Sequence, residues 1–233
     1  MLNRMAPGKH VQSIGALLRR NKFLISAELL VVVLVIILVP SPLTSTPSLV
    51  ILGWLSLRAR GVAWKDVGLS PPHNLILTLL AGIATGLLLL FSDLYLTEPL
   101  LSRWLGGRPD LGQFATLKGN IVRLLLSVTL IAWLLAAFGE EVAYRGYILN
   151  RLAELLGGGR IAWAVAVPVM SVLFGVIHLW QGLTGAVTAI KAGLIFGGLY
   201  LIARRNLWLP LITHGVYDTA ALILIFLGIY PGM

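Results

Sequence analysis

The stretch LLLSVTLIAWLLAAFGEEVAYRGYILNRL, residues 124–152, decides the fold. Its first half is apolar enough to sit in a bilayer, and two adjacent glutamates and an arginine follow without a loop signal between them. An ionised side chain at mid-bilayer costs roughly 2.5–3.5 kcal/mol on insertion scales, so such groups face a bundle interior or a wet cavity and have partners. The stretch therefore predicts a membrane helix that carries chemistry.

The rest of the chain agrees. Of its 233 residues 58% are hydrophobic and 12% are charged, where soluble domains carry about 25% charged residues. Apolar segments of spanning length fall at 23–39, 43–57, 74–96, 120–150, 161–180, 184–203 and 207–229. The second is short and contains Pro47. The expected fold class is all-α, a polytopic transmembrane helix bundle of about seven spans. An eighth span or a re-entrant segment within 97–119 is the alternative. Residues 1–22 form a basic N-terminal segment, and 23–230 a single transmembrane domain whose motif core is about 120–225.

The net charge of +9 would suggest nucleic acid in a soluble protein. Here the basic residues flank apolar spans, as they do on the cytoplasmic side of membranes. Arg4, Lys9, Arg19, Arg20 and Lys22 precede the first span, and Arg58, Arg60, Lys65, Arg151, Arg160, Arg204 and Arg205 lie at later ends on the same side. The N-terminus is expected in the cytoplasm, and no nucleic-acid partner is expected. The first apolar run is long for a signal-peptide core and no small-residue cleavage site follows it, so it reads as a retained span. There is no cysteine, which excludes disulfides, thiolate metal sites and cysteine nucleophiles.

Helical spacing organises the intramembrane polar groups. Glu141 and Arg145 are four apart and share a face, so they can pair. Glu140 points about 100° away, which leaves it free for chemistry. Phe174 and His178, in SVLFGVIHLW, and His214 and Asp218, in LPLITHGVYD, are also four apart. A packing role suits each pair alone. Convergence from three spans does not suit packing.

EEVAYR at 140–145, FGVIH at 174–178 and HGVYD at 214–218 read as E-E-x-x-x-R, F-x-x-x-H and H-x-x-x-D. In that order they resemble the three motifs of the CPBP family, also called ABI or CAAX-protease-like, which includes type II CAAX prenyl endopeptidases. RARGVAWKDVGL, at 58–69, is similar to a segment common in the family. The resemblance implies an intramembrane endopeptidase cutting a membrane-tethered or prenylated peptide in the bilayer, in a bacterial or archaeal cell membrane. It implies that Glu140 and His178 activate water, that His214 and Asp218 hold the oxyanion, and that Glu141 and Arg145 support them. Relatives often carry Asn where this chain has Asp218, and an ionised Asp cannot donate to an oxyanion. Asp218 would then be protonated, orient His214, or ligate a metal. If a divalent metal such as zinc is present, its candidate ligands are Glu140, His178, His214 and Asp218. H-E-x-x-H is absent, and metal-free hydrolysis is the favoured expectation.

Two readings compete with a protease. One is a non-catalytic membrane peptide-binding protein, such as a bacteriocin immunity factor or scaffold. The other is a small-solute or proton transporter, which leaves the motif order unexplained. Lys191, inside an apolar span, has a depth that permits an ion pair with Asp218. Counting at about 1.5 Å per residue also places His178 roughly 11 Å deeper than Glu140 and His214. Tilt, a kink at Pro168 or a later start of the fifth span would close that gap.

Overall fold

The computed structural model describes residues 15, 17–18, 21–39 and 41–231. The basic segment 1–22 lies almost wholly outside the described residues. All regular structure among the described residues is helical. Seven helices follow the seven apolar segments: α1 (Lys22–Leu38), α2 (Pro42–Arg60), α3 (Leu75–Leu105), α4 (Ile121–Leu155), α5 (Arg160–Val176), α6 (Gly182–Ile202) and α7 (Trp208–Phe226).

By length and composition, α3, α4, Leu179–Ile202 and α7 suffice to cross a membrane among the described residues, and α5 is a shorter apolar helix. The seven expected segments are thus helical, and four of the helices among the described residues are long and apolar enough to be spans. In α2 the first two turns hold Thr44, Ser45, Thr46 and Ser48, which explains its weak apolar character. The chain is an integral membrane protein: only 22% of the apolar window of α3 and 17% of that of α4 are buried within the protein. The remaining apolar surface needs lipid around it.

Caps set the helix starts. Asn21, Asn74 and Asn120 each accept from backbone N–H groups in the first turns of α1, α3 and α4, satisfying donors that have no partner inside the helix. The segment 97–119 does not form another span. Its first part extends α3 through a π turn at Asp93–Thr97, and Gly112–Leu117 is a 3₁₀ turn. In α4 the hydrogen bonding shifts to i→i+5 over Ser127–Ile148, a geometry that concentrates at functional sites.

Close helix approaches enclose the centre. A Cβ on Gly86 of α3 would stand 2.6 Å from the Thr213 carbonyl of α7, and one on Gly139 of α4 would stand 2.9 Å from Thr46 Cγ2 of α2. Small residues allow such contact between membrane helices. Gly139 therefore serves close helix approach.

Candidate active site

Glu141, Arg145 and His214 form the buried centre of the site. Arg145 Nη1 donates to Glu141 Oε1 at 2.9 Å, and the same oxygen lies 2.9 Å from His214 Nδ1. Arg145 and Glu141 are both 0% exposed. The pairing expected from the i,i+4 spacing is present, and it extends to a second helix. Aromatic rings close the arrangement. The Arg145 guanidinium lies 4.6 Å from the Phe174 ring and 5.1 Å from Phe196, while Phe196 stacks on His214 at 4.7 Å. A cation desolvated between ring faces gains from their quadrupoles, which gives the Phe of F-x-x-x-H a physical task.

His214 Nε2 faces Asp218 Oδ2 at 3.5 Å, so both ring nitrogens look at carboxylates. His178 ends up just past the last turn of α5, its Nδ1 2.7 Å from the Phe174 carbonyl and its ring 4.7 Å from the Phe174 ring. With Nδ1 held on that carbonyl as donor, Nε2 is the acceptor that remains. Glu140 is buried, and its Oε2 has no hydrogen-bond partner. Among the described residues it forms no salt bridge.

Glu140, His178, His214 and Asp218 line one chamber of about 470 Å³, together with Phe174 and Phe196. The expected mismatch in depth is thereby corrected. The mismatch arises when Arg151, as a basic flanking residue, is taken as the water-side end of α4; Arg151 is 1% exposed and pairs with Glu28 and Glu154, so it does not mark the water boundary.

A second correction concerns Lys191. It does not reach Asp218. Its Nζ pairs with Asp93 and donates to Ser92 Oγ and Thr97 Oγ1 at 2.7 Å each, while the Tyr217 hydroxyl donates to the other Asp93 oxygen at 3.0 Å. Sequence reading missed Asp93 as an intramembrane carboxylate because it lies near a span end. Glu28 was missed for the same reason. In α1 it receives Arg60 at 2.9 Å and the Tyr147 hydroxyl at 2.8 Å, and ties α1 to α2 and α4.

The four candidate metal ligands share the chamber but not a ligand geometry. No group of three or more His, Asp or Glu among the described residues is placed to hold a metal ion. Both His214 nitrogens already face carboxylates. The donor set does not fit a metal centre, and no step is derived through one.

Residues 122–220 match the family described as type II CAAX prenyl endopeptidase Rce1-like. The motif-bearing region is Rce1-like. The resemblance carried by the three motifs is borne out, since all of them lie inside the matched stretch. At family level the Rce1-like region points to an intramembrane protease acting on a membrane-associated peptide. No curated protein matches the chain, and no solved structure does.

Proposed function

We propose that the protein is an intramembrane endopeptidase that hydrolyses a peptide bond of a membrane-tethered substrate, lipid-modified or not, with Glu140 as the general base. The observation that carries this reading is Glu140 itself. It is a buried carboxylate in the chamber wall, with no salt bridge among the described residues and one oxygen without a hydrogen-bond partner. A structural carboxylate in a membrane would be paired, as Glu141 is.

In the reaction Glu140 takes a proton from water, helped by the free Nε2 of His178 as acceptor. The hydroxide so formed attacks the peptide carbonyl, and the same proton passes to the leaving amine. General-base assistance of this kind is worth about 10²–10⁴ in rate. His214, held at Nδ1 by Glu141, donates to the developing oxyanion from Nε2, whose 3.5 Å contact with Asp218 is slack. Preorganised donors act strongly where water is excluded. Glu141 and Arg145 touch no substrate and position His214.

Leu43 and Leu126 line the chamber and are 60% and 54% exposed at the outside of the bundle. A substrate held in the bilayer by an anchor therefore has a lateral way in, between the start of α2 and α4.

The test compares new peptide termini in membranes of cells carrying the native protein or Glu140→Gln at equal levels. Termini that need Glu140 are expected. An unchanged pattern with both proteins folded points instead to a peptide-binding protein on a protease scaffold.

A further inference from the structure

Away from the catalytic groups, Tyr217, Glu98 and Tyr230 also line the chamber. Behind them lies a second buried carboxylate, Asp93. The two acids differ in what they have left to offer. Asp93 is saturated: Lys191 holds one oxygen and the Tyr217 hydroxyl the other. Glu98 is 1% exposed, and its Oε1 accepts from the Tyr230 hydroxyl at 2.9 Å, while Oε2 has only a long ion pair. Oε2 of Glu98 has no hydrogen-bond partner. The nearest cation, Arg108 Nη1, stands 3.7 Å away, is a third exposed, and is shared with the Pro231 carbonyl.

A desolvated carboxylate oxygen left without a donor is costly unless a ligand completes it. A protonated nitrogen arriving from the chamber would give Oε2 the donor it lacks, while Tyr230 stays on Oε1. Lys191 is committed to three acceptors. Arg123, the remaining cation of the lining, is exposed at the start of α4 and donates to the Thr116 carbonyl.

We propose that Glu98 forms a subsite of the chamber that binds a protonated nitrogen of the substrate peptide, a Lys or Arg side chain or a free N-terminal amine. This rests on the reading that the chamber takes a peptide. Tyr230 orients the carboxylate, and the Asp93–Lys191 pair beneath it supports the wall without competing for the ligand.

The test reads binding rather than cleavage. The full chain carrying Glu140→Gln, purified in detergent, is incubated with mixed apolar decapeptides that each contain one Lys, Arg, Glu or norleucine. Each set is made with free and with acetylated N-termini. Retained peptides are quantified by mass spectrometry. Enrichment of Lys or Arg peptides over norleucine peptides by about tenfold or more, as a charge-assisted bond gives, is expected, and it should vanish on adding Glu98→Gln. Enrichment confined to free N-termini identifies the amine as the source.

Arg108→Ala is expected to raise the enrichment, because it removes the competing guanidinium. This variant carries the test if Glu98→Gln does not fold, and no rise then overturns the proposal. Equal retention of all sets, a preference for Glu peptides, or a basic preference that survives Glu98→Gln also overturns it. If the native protein cleaves nothing while the Glu98-dependent retention holds, the protease reading fails and the subsite stands.

Discussion

One oxygen of Glu141, Oε1, joins two helices: it takes the Arg145 guanidinium of its own helix at 2.9 Å and lies 2.9 Å from His214 Nδ1 of α7. The second motif glutamate is therefore the anchor, and the proposed mechanism gives the chemistry to the first. Replacing Glu141 with Gln leaves Arg145 buried beside a neutral amide. Breaking a buried pair in this way costs about 3–5 kcal/mol. We expect a sharply lower melting temperature in detergent and reduced expression, together with loss of activity.

Glu140→Gln should separate from that variant. No salt bridge is lost among the described residues, so melting should stay within a few degrees of the native protein while hydrolysis falls by about 10²–10⁴. Comparable destabilisation of both variants would count against the division of labour between the two glutamates.

Asp218→Asn is expected to keep most activity. The amide has the shape of the carboxylate and gains an N–H that can face the oxyanion, while His214 remains held by Glu141. Asp218→Ala removes the group that faces His214 Nε2, so the ring loses its orientation on that side and kcat should fall by up to about 10²–10³, the usual cost of one oxyanion donor. Equal activity of the Asn and Ala variants would show that residue 218 does not act at the oxyanion.

Lys191→Met strips Asp93 of its cation at a position where the carboxylate is fully buried. An uncompensated charge of this kind costs about 3–5 kcal/mol. The double variant Lys191→Met with Asp93→Leu should recover most of the lost melting temperature, because no charge is then left unpaired. Failure of the double variant to recover would mean that the pair does more than neutralise itself.

Gly86→Ala would place a methyl group 2.6 Å from the Thr213 carbonyl, one residue before His214. The helices α3 and α7 must separate to admit it. Loss of activity larger than the loss of stability is expected, with activity and melting temperature measured on the same preparation.

Helical positions were legible wherever apolar runs end at polar or glycine-rich breaks, and all seven expected segments are helices. The Glu141–Arg145 pair was legible because an i,i+4 spacing fixes a shared face whatever surrounds it. Partners across helices were not: depth alone paired Lys191 with Asp218, and only packing brings it to Asp93. Phe196, stacked on His214, carries no signal in an apolar run, where any aromatic reads as core. Arg151 misled the depth count because a long side chain can be buried when Glu28 and Glu154 neutralise it.

The chamber has a consequence for the second reactant. At about 30 Å³ per molecule in the liquid, 470 Å³ has room for on the order of fifteen waters. Hydrolysis in a bilayer poses a supply problem, because the hydrocarbon core holds no water. Under the proposed mechanism a site of this size would act instead as a reservoir, in which the nucleophile is already at hand and the arriving peptide must displace its neighbours. Release of that water from the apolar walls would itself favour binding, and the few molecules retained beside Glu140 would be the ones that react.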